Sequence, residues 1–114
     1  MLYFAYGSNL NHSRIKRRCK DSVFLKKHEL KGYMLNFRSK YRAADIEKKK
    51  NSFVPGALYE ISKSDEKKLD AYEDFPVLYK KYYFYYYGKK VMTYTMTKKT
   101  SFRYPTTKYL NIVK

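Results

Sequence analysis

The sequence predicts one α+β domain in which a mixed β-sheet curls towards a small barrel. Its 114 residues are enough for a single core of modest size. Strand-like and helix-like segments follow one another in the order β-α-β-β-β-α-β-β, which is typical of an α+β fold. No internal repeat or low-complexity linker interrupts the chain, so residues 1–114 are predicted to form a single domain.

The first predicted elements are a buried strand and a basic helix. Leu2 to Tyr6 is an apolar run without polar alternation, which predicts a strand covered on both faces. The run ends at the turn-forming residues Gly7, Ser8 and Asn9. Ser13 to Cys19 then predicts a short helix rich in basic residues.

The middle of the chain carries weaker strand patterns. Val23 to Leu25 and Gly32 to Phe37 predict two short strands with polar residues between them. Ala43 to Ile46 predicts another short strand, and the charged residues Glu47 to Asn51 predict a turn. In Val54 to Ile61 the alternation of side-chain types indicates a further strand.

A capped helix and a β-hairpin are predicted next. Ser62 is a typical helix N-cap, and Asp65 three residues later completes a weak capping box. We expect this helix to run to about Asp74, because Pro76 stops it. The hairpin is predicted as a strand, a turn and a second strand at Leu78–Tyr87, Gly88–Lys90 and Val91–Met96.

The chain is strongly basic, with 26 Lys and Arg residues against 10 Asp and Glu and a net charge of +16. Such a field attracts polyanions such as nucleic acid, or an acidic membrane surface. However, 20 of the 26 cations are lysines scattered over every segment, whereas arginine is expected for forked phosphate or guanine contacts. A solvated basic surface is therefore favoured, with a nucleic-acid partner as the alternative.

Several features indicate a cytoplasmic protein without a membrane span. The N-terminal apolar run, Leu2 to Tyr6, is far shorter than the ~20 residues that cross a bilayer. It also lacks the charged flank and the small-residue cleavage site of a signal peptide. Cys19 is the only cysteine, so we expect neither an internal disulfide nor a zinc cluster around it.

The turn after the first strand is one candidate site. Gly7 lets the backbone approach a ligand, and successive N–H groups at a strand-to-helix turn form a small anion-binding nest. Such a nest could hold a carboxylate, a phosphate or a developing oxyanion. On spacing alone, an ordinary tight turn in which Ser8 or Asn9 caps the next helix is favoured.

The acid-rich second helix provides the second candidate. On a 3.6-residue period, Glu66, Asp70 and Asp74 share a stripe that is expected to face water. The neighbouring stripe carries Leu69 and Glu73 and is expected to pack on the sheet. Burial and the negative helix end would raise the pKa of the Glu73 carboxyl group, which suits proton transfer near neutral pH. A partly exposed glutamate paired with a nearby lysine explains the position equally well.

The remaining candidates are weaker. His12 and His28 fit no catalytic or metal-binding spacing and are expected to be solvated. Cys19 follows two arginines that could lower the pKa of its thiol, although a half-buried, inert thiol is favoured. The many tyrosines could stack nucleobases, as in single-strand binders, but core and rim positions explain most of them.

Several blocks of the chain resemble the γ-glutamylcyclotransferase family. Leu2 to Leu10, which contains Tyr-Gly-Ser-Asn-Leu, resembles the N-terminal signature of that family. Pro55 to Ile61, followed by Leu69 to Glu73, is similar to its second block. Val91 to Met96 and Tyr104 to Tyr109 resemble its later strand and its Pro-Ser-x-x-Tyr element. The likeness covers almost the whole chain, in the right order.

The resemblance implies a curled mixed sheet with flanking helices and a pocket between the Gly7 turn and Glu73. In such enzymes the substrate's α-amine attacks its own γ-carbonyl, which gives 5-oxoproline and a free amino acid or amine. Glu73 matches the catalytic acid/base, the partner is a small γ-glutamyl molecule, and neither metal nor cofactor is implied. The residues that the resemblance places at the substrate are Tyr3, Phe4, Ala5, Tyr6, Gly7, Ser8, Asn9, Tyr79 and Tyr109.

The chain also departs from the family pattern. It has no tryptophan, and it ends at Lys114, where the family commonly continues into a further helix. The C-terminal end is therefore expected to be short relative to the family. A wider pocket, a wall supplied by a partner chain, and lost activity are the alternatives that follow. The second functional hypothesis is a basic nucleic-acid or anion-binding module that keeps the fold without the chemistry.

Overall fold

The structure is a computed structural model and describes residues 1–7, 12–38 and 43–97. Two helices and five strands lie in these ranges, and neither helix is long and apolar enough to cross a membrane. The elements are β1 Leu2–Ala5, α1 His12–Arg18, β2 Val23–Arg38, β3 Ala43–Glu60, α2 Lys63–Tyr72, β4 Tyr79–Tyr86 and β5 Lys89–Met96.

The five strands form one mixed sheet in the order β2-β3-β1-β5-β4. β1 is central and pairs parallel to β5, whereas the β1–β3, β2–β3 and β4–β5 pairs are antiparallel. The predicted α+β class with a mixed sheet is therefore confirmed. The parallel pair requires a crossover between β1 and β5, and the whole intervening chain with both helices provides it.

The sheet is curled but not closed, because its two edge strands, β2 and β4, face each other through side chains instead of a backbone ladder. The Lys26 Nζ atom donates to the Tyr86 hydroxyl at 2.8 Å. The Tyr33 and Tyr82 hydroxyls share a hydrogen bond. Burial and this bond raise the pKa of Tyr33 to about 12. The predicted curl towards a barrel is thus produced by contacts between residues far apart in sequence.

The long β2–β3 hairpin differs from the prediction. The two short strands predicted at 23–25 and 32–37 are parts of one strand, and the turn predicted at Glu47–Asn51 lies inside β3. The element order is accordingly β-α-β-β-α-β-β. The polar residues between the two apolar segments of β2 belong to an edge strand, where pairing with β3 compensates for a weak strand pattern.

The charged segment does disturb the ladder, although it does not end the strand. The register passes from Lys31–Phe53 to Tyr33–Lys48, so Gly32 alone faces residues 49–52. Gly32 has a φ of 85° and Asn51 a φ of 65°, which is left-handed backbone that glycine and asparagine tolerate. The turn-forming residues predicted at Glu47–Asn51 therefore produce an irregularity within the hairpin.

Both faces of β1 are buried, as predicted. Tyr3 contributes to a core cluster on the helix side of the sheet, with Ile15 of α1 and Leu69 of α2. Phe4 contributes to a second cluster that fills the inside of the curl, with Val54. Because successive side chains on a strand point to opposite faces, one short apolar run supplies both clusters.

The second helix follows the prediction, and the hairpin forms as predicted except that its turn lies at residues 87–88 and not at 88–90, because Lys89 and Lys90 pair within the ladder. Ser62 caps α2, and both hydrogen bonds of the capping box with Asp65 are present. The helix ends at Tyr72, with Glu73 as its C-cap. Tyr87 and Gly88, with φ values of 47° and 76°, form the two-residue turn between β4 and β5.

Candidate active site

The candidate site lies where the carboxyl ends of β1 and β5 meet the start of β4. β1 and β5 are parallel, so their carboxyl ends reach the same edge of the sheet. Tyr79 begins β4 and pairs with Met96, the last residue of β5. The chain leaves β1 through Tyr6 and Gly7, and Gly7 adopts a φ of 65° that favours glycine.

Glu73 is brought to this edge by the end of α2. Its backbone N–H donates to the Leu69 carbonyl oxygen at 2.8 Å, which closes the last turn of the helix. Its side chain is half-buried. The helix stripe that carries Leu69 and Glu73 packs on the sheet as expected. Leu69 and Asp65 of this stripe are both buried.

The charge of Glu73 contributes to the pKa shifts of two tyrosine hydroxyls. Burial raises the pKa of Tyr6 well above its usual value, and the negative charges of Asp45 and Glu73 add to that effect. Burial also raises the pKa of Tyr94, with contributions from Asp70 and Glu73. The charge of Glu73 therefore acts on both hydroxyls, and Tyr6 is the residue that directly follows β1.

Both hydroxyls are hydrogen-bonded, and the Tyr94 hydroxyl belongs to a network with Asp70, Lys81 and Glu66. The Tyr6 hydroxyl donates to the Tyr94 carbonyl oxygen. The Tyr94 hydroxyl donates to the Asp70 Oδ1 atom at 2.6 Å. The Lys81 Nζ atom contacts Asp70 Oδ2 at 3.0 Å and Glu66 Oε2 at 2.8 Å. The network fixes the face of α2 that precedes Glu73 against β4 and β5.

The expectation that Glu66 and Asp70 face water is therefore wrong. Both side chains are only partly exposed, at 22% and 23%. Their like charges are compensated by Lys81, which the topology brings from β4 to the same helix face. Asp74 does lie at the surface, beyond the end of the helix.

Two buried polar side chains anchor this edge of the sheet to β3. The Tyr79 hydroxyl donates to the Ala44 carbonyl oxygen at 2.6 Å. The Asp45 side chain is fully buried and accepts from the Met96 backbone N–H at 2.9 Å. Sequence reasoning did not single out Asp45. The sequence signal that could have identified it is the presence of an acidic residue inside the otherwise apolar segment 43–46.

The structure distributes the predicted substrate residues over both faces of β1. The side chains of Tyr3 and Ala5 lie in the helix-side cluster, whereas Phe4 and Tyr6 lie in the inner cluster. The Thr93 hydroxyl donates to the Phe4 carbonyl oxygen at 2.8 Å. Since β1 is flanked by β3 and β5, the backbone that follows its last residue is the part placed to meet a ligand. Three predicted substrate residues, Ser8, Asn9 and Tyr109, lie outside the described residues.

Cys19 matches the expected inert thiol, and the alternative of a lowered thiol pKa is wrong. The side chain is buried, and its Sγ atom lies 3.8 Å from the Asp65 carbonyl oxygen. Burial raises the pKa of the thiol to about 11, and the negative charge of Asp65 contributes, against the opposing effect of Arg18.

His28 is not solvated as expected, because it lies among aromatic rings between the two edge strands. Its ring stacks on Phe84 and makes edge contacts with Phe4 and Tyr86. Burial lowers its pKa below the usual value, and the positive charge of Lys26 adds to the effect. Within the unfolded chain, the pKa returns to about 6.5.

This difference predicts a loss of stability in mild acid. Below about pH 6.5 the unfolded chain binds a proton that folded His28 resists, so the free energy of unfolding decreases as pH falls towards the lower, folded pKa. We expect the ring to titrate below pH ~6.5 by NMR, and His28→Phe to weaken the decrease in stability. Titration of this ring above that value would contradict the prediction.

A small, curled, mixed five-stranded sheet with two helices defines the fold class of this protein. The chain belongs to the gamma-glutamyl cyclotransferase, AIG2-like family, whose model matches residues 3–110. The family assignment expected from the sequence is confirmed. No curated protein matches the chain.

Solved structures support the same fold. One described as a gamma-glutamyl cyclotransferase is 26% identical, with a TM-score of 0.81, and the match covers 98% of this chain and 75% of that one. An uncharacterised protein from Homo sapiens is 28% identical with a TM-score of 0.83, over 98% of this chain and 75% of its own. YkqA from Bacillus subtilis is 22% identical, with a TM-score of 0.78, over 99% and 46% of the two chains, and shows the fold alone.

Proposed function

We propose that this protein is an enzyme that cyclises the γ-glutamyl group of a small molecule to 5-oxoproline. The observation that carries the proposal is the half-buried Glu73 at the end of α2, whose charge contributes to the raised pKa values of Tyr6 and Tyr94. Membership of the gamma-glutamyl cyclotransferase, AIG2-like family supports the same reaction class. The solved structure described as a gamma-glutamyl cyclotransferase is a second support.

The proposed reaction is an intramolecular acyl transfer. The α-amino nitrogen of the γ-glutamyl group attacks its γ-carbonyl carbon and forms the lactam C–N bond. The bond from that carbon to the leaving nitrogen then breaks. Glu73, as a carboxylate, accepts a proton from the α-ammonium group so that the free amine can attack, and returns this proton to the leaving nitrogen. The attacking nitrogen loses a second proton as the lactam forms, and the released amine takes it up and leaves as an ammonium group. The products are 5-oxoproline and a free amino acid or amine, so atoms and charges balance without an external reactant.

The turn at Gly7 is proposed to hold the reacting carbonyl. Within the Tyr3 to Ser8 region, the backbone N–H groups that follow β1 would bind the developing oxyanion and orient the substrate's α-carboxylate, since a positive-φ glycine turn gathers N–H groups into a concave nest. Tyr79 and Tyr109 are proposed to line the pocket. Holding the amine against its own carbonyl in ring-closing geometry would supply much of the rate.

Several γ-glutamyl compounds present the same group to this site and differ only in the leaving part. Glutathione, γ-glutamyl dipeptides and γ-glutamylamines are therefore the compounds to test. The buried, unpaired thiol of Cys19 fits a reducing compartment, so we place this activity in the cytoplasm.

The test is release of 5-oxoproline. We expect purified protein, incubated with each compound of this panel, to form 5-oxoproline and the free leaving amine in equal amounts, measured by mass spectrometry. At least one compound should be turned over far faster than its spontaneous cyclisation. If no compound of the panel yields 5-oxoproline above the protein-free rate, the proposed function is wrong.

A further inference from the structure

A groove away from Glu73 carries both positive charge and aromatic rings. It opens between the two edge strands and has a volume of about 580 Å³. We call it the basic groove and define it by residues of β2 and by Tyr86 and Tyr87 at the end of β4. The β2 residues are Lys26, Lys27, His28, Glu29 and Lys31, so three lysines face one acidic side chain in the lining. Tyr79 lies at the other end of β4, and both it and Glu73 act electrostatically on the Tyr6 hydroxyl. Tyr86 is seven positions after Tyr79, which corresponds to roughly 23 Å of strand.

The charge of the chain is unevenly distributed around the groove. Of the ten acidic residues, five lie on α2 and the two residues after it. The β4–β5 hairpin that borders the groove contains four lysines and no acidic residue. The acidic residues are Asp65, Glu66, Asp70, Glu73 and Asp74, and the hairpin lysines are Lys80, Lys81, Lys89 and Lys90. Lys81 pairs with Glu66 and Asp70, and α2 also carries Lys63, Lys67 and Lys68, so the region around α2 is close to neutral. A polyanion is therefore attracted more strongly to the groove side than to the α2 side.

The rings of the groove are arranged for contact with a ligand. Tyr87 is 89% exposed, and its ring lies edge-on to that of Tyr86 at 4.6 Å between centroids. The Lys26 ammonium lies 5.3 Å from the Tyr86 ring centroid and donates to its hydroxyl. Tyr86 is thus held in place while the face of Tyr87 stays open to solvent.

The backbone at Tyr87 gives a second, independent reason to assign a role to its side chain. Tyr87 has a φ of 47° at the first turn position of the hairpin, where asparagine, aspartate or glycine is ordinarily favoured. A bulky residue in left-handed backbone costs about 1–2 kcal/mol relative to ordinary backbone. Burial of the Tyr87 ring does not offset this backbone cost, because the ring is almost fully exposed.

We propose that the basic groove binds a single-stranded nucleic acid, with backbone phosphates at Lys27 and Lys31 and a base stacked on Tyr87. Open aromatic rings beside a track of cations are the combination that single-strand binders use. Charge alone would fit any polyanion, and the exposed ring selects a ligand that carries planar bases. The proposal goes beyond the cyclisation of γ-glutamyl compounds and uses residues distant from Glu73.

The experiment measures binding of a fluorescent oligouridylate of about 12 nucleotides, a length within the ~4–16 nucleotides that single-strand-binding modules cover. Fluorescence anisotropy is recorded over a series of salt concentrations. If about three phosphates are neutralised, the slope of log K against log salt should be about −2. Tyr87→Asn removes the ring but keeps a residue suited to the turn, and it should weaken binding by about 5- to 100-fold.

A charge-matched pair of variants locates the site. Lys27→Ser with Lys31→Ser removes two charges from the basic groove and should reduce the size of the salt slope by about 1.4. Lys63→Ser with Lys67→Ser removes two exposed charges from α2 and should leave the slope nearly unchanged. Thermal unfolding of each variant verifies that the fold is retained.

Four results would overturn the proposal: no binding of the oligouridylate at low salt, equal weakening by both lysine pairs, an unchanged affinity in Tyr87→Asn, or binding to anionic lipid vesicles but not to the oligonucleotide. Release of 5-oxoproline by Tyr87→Asn should equal that of the unmodified protein. Failure of nucleic-acid binding is therefore distinguishable from failure of the proposed enzyme function.

Discussion

Glu73→Gln is expected to lower the turnover of a γ-glutamyl substrate by about 10²- to 10⁴-fold, the range that general acid–base groups contribute. The amide keeps the shape of the side chain but cannot accept a proton from the attacking ammonium group. Because Glu73 is a half-buried C-cap whose helix contact uses its backbone N–H, the substitution should leave the fold intact. Initial rates of 5-oxoproline release, with circular dichroism and thermal unfolding of the same sample, give the measurement.

Asp74→Asn is the matched control for this prediction. It removes the adjacent carboxylate, and its left-handed backbone, with a φ of 52°, is one that asparagine tolerates. The Asp74 side chain is exposed, so we expect turnover close to that of the unmodified protein. Equal losses of turnover in both variants would mean that the effect comes from the change in net charge alone. Full activity of Glu73→Gln would show that Glu73 is not the acid/base of the reaction.

Gly56→Ala is expected to cause the largest loss of stability, about 3 kcal/mol, at the upper end of the usual cost of overpacking a core. A Cβ atom at position 56 would approach the Ala5 carbonyl oxygen and lie 2.5 Å from the Phe4 ring. The oxygen belongs to the central strand, and the ring is fully buried, so neither can move cheaply. The melting temperature should fall by roughly 10 °C or more.

Gly88→Asn provides the contrast for Gly56→Ala. A Cβ atom added at Gly88 would meet no heavy atom within 4 Å, and the φ of 76° at this position suits asparagine. This variant should change the free energy of unfolding far less than Gly56→Ala does. If Gly56→Ala unfolds at the temperature of the unmodified protein, the close packing of β3 against β1 is not as described.

The parts of the fold that could be predicted are those with a local signal. The apolar run of β1, the capping box of Ser62 and Asp65, and the aromatic strand β4 each carry their own pattern, and each forms the predicted element. The position of Glu73 at the end of α2 follows from the same local periodicity. Here the sequence pattern and the tertiary structure agree, which is the usual mark of a consistent sequence.

The parts that could not be predicted depend on partners distant in the chain. The strand patterns of β2 and of the first part of β3 are weak until each pairs with the other. The helix face with Glu66 and Asp70 resembles a solvated face until β4 brings Lys81 to it. His28 resembles a surface residue until the curl of the sheet places it against Phe84. In each case a long-range contact decides the environment of the side chain.

The most direct test of the central claim is a crystal structure of the protein with 5-oxoproline bound. We expect the lactam at the carboxyl end of β1, with its ring nitrogen within about 2.6–3.2 Å of a Glu73 carboxylate oxygen. Its lactam oxygen should face the backbone N–H groups of the turn at Gly7. A product molecule bound elsewhere, or a Glu73 side chain turned away from the bound lactam, would contradict the proposed mechanism.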